Sequence, residues 1–239
     1  MASTKGSLTI THIGTATSII DIDGVKLLTD PLFSPAGTEW DVGITILKNT
    51  DTPALSLETL PPIDAILLSH EDHPDNLDEL GRRLLDGRHV LTTLDGARKL
   101  APRPGVRGLN PWETVTLIAG GKHSVPDGQP NAIYISGDTV YVEELSRTIP
   151  QKWNITIAIL NFGNAHVPTP DGGALQVTMD GKQGARLFRE LGADVLVPMH
   201  FESWGHFTQF GDELIRDFDE EGVGHQVCWL TPGESKKLL

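Results

Sequence analysis

The sequence predicts an α/β fold, specifically a four-layer αββα sandwich. Two observations predict it. Short apolar runs of strand length come first in an antiparallel-looking block, then alternate with helical patterns. That order suits two sheets packed face to face with helices outside. The longest apolar runs reach only about five or six residues, well short of the ~20 that span a bilayer, so no membrane insertion is expected. The 239 residues fit one large domain or two small ones. The expectation is one domain over residues 1–239, long enough to bury a core without disulfide staples.

The elements follow in order. Leu8–Ile13 and Ser18–Ile22 read as strands, and Asp23-Gly24 as the hairpin turn before Val25–Leu28. Residues 31–61 are rich in Pro, Gly, Thr and Asp and read as a long loop with little regular structure, of the kind that often serves as a functional lid. Ile63–Leu68 is a buried-strand run. Asp75–Leu85 carries Leu77, Leu80, Leu84 and Leu85 at helical spacing, with Asp75 as the expected N-cap. His89–Thr92 reads as a strand and Leu94–Leu100 as a short helix. Thr114–Ile118, Ala132–Ser136 and Ile155–Leu160 are further strand runs. Lys182–Leu191 is amphipathic and stops at Gly192. Val195–Val197 and Gln226–Leu230 complete the strands.

Composition narrows the function. The formal net charge is −13, whereas a nucleic-acid grip needs basic surface, so no nucleic-acid partner is expected. One cysteine, Cys228, allows no intrachain disulfide and no Cys-rich zinc site. Any metal must be held by His and Asp or Glu. Met1–Ser7 is polar, without an apolar core of signal-peptide length, so a cytoplasmic location is expected. The composition is also compatible with a homo-oligomer.

The nine histidines matter through their positions. His70 follows the strand run ILLS, His200 follows VLVPM, His123 follows VTLIAGGK, and Asp138 follows YISG. One such residue is usually a surface or capping group. Four together are different, because the strands of a sheet bring their ends to a common edge. The run His70-Glu71-Asp72-His73-Pro74-Asp75 adds carboxylates that repel one another unless a cation lies among them. This mix of nitrogen and oxygen donors suits zinc first, with manganese or iron as alternatives, as one or two ions.

These residues carry a resemblance. The segment LPPIDAILLSHEDHPDNLDEL is similar to the metal-binding segment of the metallo-β-lactamase superfamily, nearest the branch of L-ascorbate-6-phosphate lactonase and N-acyl-phosphatidylethanolamine phospholipase D. There a Ser-His lead-in opens the motif His-x-His-x-Asp-His. Leu8–Pro31 resembles the family's opening hairpin, Gly120–Ser124 its third-histidine element, Ile135–Thr139 its Gly-Asp-Thr element, and Val195–Phe201 its last-histidine element. The resemblance covers nearly the whole chain.

The chain departs from the pattern at His70–Asn76. Aligning both flanks requires one extra residue. His70 and His73 then match the first two histidines, Asp75 matches the aspartate, and Asn76 replaces the last histidine. A second alignment reads Leu68-x-His70-x-Asp72-His73. A third, ungapped from the left, puts Asp72 and Asp75 at histidine positions. His70 is a ligand in all three, and Asp72, His73 and Asp75 each in two. The first is preferred because the extra residue then falls in the loop between strand and helix, where insertion is best tolerated. The family's Gly-His-Ala is Gly14-Thr15-Ala16 here, with His12 nearby.

The resemblance implies a hydrolase. One ion would be held by His70, His73 and His123. A second would be held by Asp75, Asp138 and His200, weakened where Asn76 stands for an imidazole. A bound water, acidified by the metal, would attack a carbonyl or phosphoryl centre, with Asp75 or Asp72 as catalytic carboxylate, orienting it or carrying a proton. His166 and Trp204 are the candidate substrate contacts, Phe33 and Trp40 in loop 31–61 are expected near the metal edge, and Lys122 is the nearest cation. The substrate is expected to be a small-molecule lactone or carboxylic ester. The alternatives are a phosphodiester, as for a phospholipase, or a degenerate member that binds metal without catalysis.

Overall fold

The structure is a computed structural model that describes residues 6–43, 45–116, 130–169 and 171–239. Lys122 and His123 lie outside them, as does the end of the expected strand Thr114–Ile118. In chain order the strands are β1 (Leu8–Gly14), β2 (Thr17–Ile22), β3 (Val25–Thr29), β4 (Glu39–Asp41), β5 (Ile46–Lys48), β6 (Ala65–Leu67), β7 (His89–Thr93), β8 (Val106–Leu109), β9 (Asn131–Ile135), β10 (Asn154–Asn161), β11 (His166–Pro168), β12 (Ala174–Gln176), β13 (Val195–Met199) and β14 (Ser235–Lys237). The helices are α1 (Glu79–Leu84), α2 (Leu94–Lys99), α3 (Glu143–Lys152), α4 (Gly181–Leu191) and α5 (Gly211–Glu220). They divide between two compact units, each assembled from separate stretches of chain.

The first unit holds residues 1–38, 49–123 and 230–239. Its seven-stranded sheet runs β14-β1-β2-β3-β6-β7-β8. The strands are antiparallel from β14 to β3 and parallel from β3 to β8. The β2–β3 turn is the expected one: Asp23 and Gly24 have φ 52° and 90°, as a two-residue hairpin matching strand twist requires. Ile66, Leu28, Val90, Ile13 and Leu85 form the core of this unit, joined by Phe33, a member of the expected loop. Burying such side chains is the main favourable term in folding.

The second unit holds residues 39–48 and 124–229. Its three-stranded parallel sheet runs β13-β10-β9. Helices α4 and α5 contribute Leu187, Phe188, Leu214 and Phe218 to a core that also takes Leu160, Phe162 and Leu196 from the sheet side. The α4 end is as read: Gly192 takes a left-handed φ of 68°, where a Cβ would be strained. No helix among the described residues is long and apolar enough to cross a membrane.

Three expectations are corrected. The helix after His70–Asn76 begins at Glu79, with Asp78 rather than Asp75 as its N-cap. Residues 74–77 form turns instead, with Asn76 N and Leu77 N both donating to His73 O. Loop 31–61 contains the hairpin β4–β5. Gln226–Leu230 is not a strand; Val227 makes an isolated bridge to Leu196.

Candidate metal centre

Each unit collects site residues where parallel strands end, the usual position of ligand sites in such sheets. In the first unit, β3 and β6 lie side by side, so Asp30 and Ser69-His70 emerge together. Asp30 is buried, with φ 29°. Its Oδ1 accepts from Ser69 N at 2.6 Å, and its Oδ2 accepts from Ser69 Oγ at 2.8 Å and Asn76 Nδ2 at 3.3 Å. Ser69 Oγ also lies 2.9 Å from His70 Nδ1. A hydroxyl has one proton, and the carboxylate takes it. His70 Nδ1 must then donate to Ser69, and in neutral His70 this leaves the lone pair on Nε2.

That lone pair faces a second imidazole. His70 Nε2 is 3.4 Å from His73 Nδ1, with the rings edge to face and centroids 5.1 Å apart. Metal–nitrogen bonds of ~2.0–2.1 Å at a tetrahedral angle put two nitrogens roughly 3.3 Å apart. The pair therefore fits a shared divalent ion. Asp75 is buried beside them in sequence, while Asp72 is exposed. Asp72 meets Lys99 Nζ at 3.2 Å. Burial pushes the Asp72 carboxyl up, but the Lys99 hydrogen bond and charge outweigh it and hold it below its ordinary value. Lys99 also meets Glu71 at 2.9 Å and Asp95 at 2.7 Å, and its own proton is held more tightly by all three carboxylates. Arg82 donates to Glu71 O.

In the second unit, the central strand β10 ends at Asn161, between β9, which leads to Asp138, and β13, which leads to His200. Asn161 Nδ2 donates to Asp138 Oδ1 at 2.8 Å, and Asn161 N to Ser136 Oγ at 2.9 Å. His200 is 1% exposed, with a left-handed φ of 54°. Its Nδ1 lies 3.1 Å from Asp138 Oδ1. A nitrogen and a carboxylate oxygen at that spacing are again compatible with one ion. Non-glycine residues at such angles cluster at functional sites.

The remaining candidates are less central. His200 packs edge-on to Phe207, Phe207 on His206, His206 on Trp204, and Trp204 on Trp40, with ring centroids 4.7–5.8 Å apart. Trp204 is buried, and its Nε1 meets no acceptor among the described residues. His166 is exposed on β11, with Nδ1 2.9 Å from Asn164 O. His12 Nε2 lies 3.0 Å from Thr15 O, within the Gly14-Thr15-Ala16 turn. Sequence reasoning singled out neither Asp30 nor Asn161. Asp30 stood only near the end of the hairpin segment Leu8–Pro31, and Asn161 only just past the strand run Ile155–Leu160.

No family model matches the chain. It is similar to a metal-dependent hydrolase of Methanopyrus kandleri, 23% identical over 237 residues that cover 95% of this chain and 98% of that one. It is also similar to a Mycobacterium tuberculosis protein, 23% identical over 84% of this chain, and spans 59% of that protein's length. A stretch of 74 residues, 31% of this chain, is 35% identical to an N-acyl-phosphatidylethanolamine-hydrolyzing phospholipase D of Caenorhabditis elegans and covers 20% of it. Among solved structures, an isothiocyanate hydrolase from Delia radicum gut bacteria matches with a TM-score of 0.75 at 22% identity, over 95% of this chain and 98% of that one. A metallo-β-lactamase fold protein of Bacillus subtilis matches with a TM-score of 0.60 at 18% identity, over 98% and 100% of the two chains. The chain has the metallo-β-lactamase fold. Its relatives by sequence include proteins named as metal-dependent hydrolases.

Proposed function

We propose that the protein is a metal-dependent hydrolase acting at an electrophilic carbon, on a lactone or other carboxylic ester of a small molecule. The facing nitrogens of His70 and His73 carry this reading, because their 3.4 Å separation and the Ser69-fixed tautomer suit a shared ion. His70 and His73 hold the first ion, with His123 the third ligand that the family resemblance implies. On the family resemblance Asp75 is a ligand as well, and Asp138 and His200, 3.1 Å apart within the second unit, form a second nitrogen–oxygen pair. Zinc is the first expectation, with manganese or iron as alternatives. When bound, such an ion supplies Lewis acidity and lowers the pKa of a coordinated water towards neutrality.

Attack at carbon is preferred over phosphorus on electrostatic grounds. A phosphodiester needs a cation to meet its charge, and the cations described around His70 are engaged: Lys99 by three carboxylates, Arg82 by the Glu71 carbonyl. The isothiocyanate hydrolase among the structural neighbours is named for a substrate with an electrophilic carbon. The phospholipase D similarity, confined to 74 residues, favours the phosphodiester as second reading. The test is a panel of lactones, carboxylic esters, thioesters, isothiocyanates and phosphodiesters, run on protein stripped of metal and reloaded with zinc, manganese or iron. Metal-dependent turnover of a carbon electrophile is expected. Turnover of phosphodiesters alone would overturn the substrate class. Failure to hold stoichiometric metal would overturn the hydrolase reading and leave a degenerate binding protein.

A further inference from the structure

We propose that Lys99 is a positioning residue for the first metal ion: through the buried carboxylate of Glu71 it holds the bend that keeps His73 facing His70. The proposal rests on the metal-dependent reading above. Glu71 and Asp72 are the two residues between the facing imidazoles. His73 is exposed, so packing does not fix its ring. Its place follows from the backbone on either side. After it, His73 O accepts from Asn76 N and Leu77 N. Before it, Glu71-Asp72 is a bend outside every strand and helix. Two helices of the same unit reach over to hold that bend.

Helix α1 supplies Arg82, which donates to Glu71 O. Helix α2 supplies Lys99, its Nζ 2.9 Å from Glu71 Oε1 and 3.2 Å from Asp72 Oδ2. The two ion pairs are not equivalent. Asp72 is exposed, and water replaces Lys99 there at little cost. Glu71 is 4% exposed. A buried carboxylate that loses its cation must take up a proton or move out to water. Helix α2 lies close enough to crowd it: at Gly96 a Cβ would stand 3.0 Å from Glu71 Oε2. Asp95, 2.7 Å from Nζ, steadies Lys99 from within the same helix. Lys99 is thus the counter-ion that keeps Glu71 inward, two residues before His73. Without it, the 3.4 Å spacing of His70 Nε2 and His73 Nδ1 loses its support on one side. Groups that orient metal ligands commonly change metal affinity ten- to a hundredfold.

The test titrates cobalt(II) into wild type, Lys99→Met, Lys99→Arg and Asp95→Asn, each stripped of metal. The visible ligand-field spectrum reports coordination, and urea unfolding is followed in parallel. Lys99→Met should lose roughly ten- to a hundredfold in affinity for the first ion, with a spectrum of altered coordination. Lys99→Arg keeps the charge and should restore most of the affinity and the wild-type spectrum. Asp95→Asn should match wild type in both. Glu71→Gln should reproduce the Lys99→Met loss, and the double variant should lose no more than the larger single loss, because both changes break one pair. A Lys99→Met protein with wild-type affinity and spectrum, its defect confined to unfolding, would overturn the proposal while leaving the hydrolase reading intact. Fully additive losses in the double variant would do the same. If Lys99→Met does not fold, Glu71→Gln decides alone, and wild-type affinity there overturns the proposal. A wild type that holds no cobalt defeats the metal-dependent reading, and the proposal with it.

Discussion

Hydrogen bonds from Ser69 N, Ser69 Oγ and Asn76 Nδ2 end on the Asp30 carboxylate, beside His70. Groups that hold metal-binding imidazoles in place commonly matter ten- to a hundredfold in metal affinity. Asp30→Asn keeps the side chain's size but removes the charge and half of its accepting capacity. We expect a roughly 10–100-fold loss of metal affinity with the fold retained. Unchanged affinity in a metal titration would disconnect Asp30 from the site. The carboxylates around His73 separate in the same terms. Asp72 is exposed and occupied by Lys99, so Asp72→Ala should keep full metal content. His73→Ala and Asp75→Ala should each lose an ion. Full occupancy in the Asp75 variant beside an empty Asp72 variant would reverse the assignment. At this scale the sequence displayed the histidines, because their chemistry is rare and their positions follow apolar runs. It concealed Asp30 and Asn161, because a carboxylate or amide after a strand is commonplace until a neighbouring strand brings its partner.

Helix α1 shows how an element can be read correctly in kind and misplaced in position. Asp75 precedes the leucine pattern and Asp78 follows its first member, Leu77, and both are good caps by residue type. Asp78 prevails because its carboxylate serves two segments. Oδ1 accepts from Gly81 N at 2.6 Å, while Oδ2 accepts from Phe33 N at 3.0 Å, Ser34 N at 2.6 Å and Ser34 Oγ at 2.5 Å. Gly81 completes the junction, since a Cβ there would stand 1.8 Å from Pro31 O. Asp78→Ala removes a cap worth about 0.5–2 kcal/mol and strands buried donors at about 1–3 kcal/mol each. We expect a loss of about 3–5 kcal/mol in urea unfolding, and a loss below about 1 kcal/mol would show that the loop finds other acceptors. Strands β1, β2, β3, β6, β7, β9, β10 and β13 were legible because each lies in a largely apolar run. Strands β4, β5, β8, β11, β12 and β14 are short and mostly polar or exposed, and carry no such signal. Nor was helix α3 legible: its first residue follows Val142, which provides no side-chain cap, and Pro150 lies inside it. Helix α5 carried its signal in Leu214 and Phe218, four residues apart and both buried, among charges that disguised it as a solvent-exposed stretch.

For the whole molecule, metal and stability should be linked. An ion bound only by the native state contributes about 2.7 kcal/mol at a hundred times its Kd. For a chain of this size that corresponds to roughly 5–10 °C in Tm. Chelation should lower the calorimetric Tm by about that much and abolish turnover, and restoring the ion should reverse both. A Tm unmoved after complete metal removal would sink the linkage. The pairing of β14 with β1 bears on a different matter, the order of synthesis. Thr11 and Ser235 are joined across 224 residues. At about 5–20 residues per second, some ten to forty-five seconds separate the making of one from the other. Through that interval β1 is the open border of its sheet, and neighbouring nascent chains on a polysome present the same border. An open border invites strand-to-strand pairing between chains. The exposed β14, Ser235-Lys236-Lys237, thus ends a vulnerable stage of biogenesis, and it does so with two lysines on the new outer edge, where like charges discourage further addition.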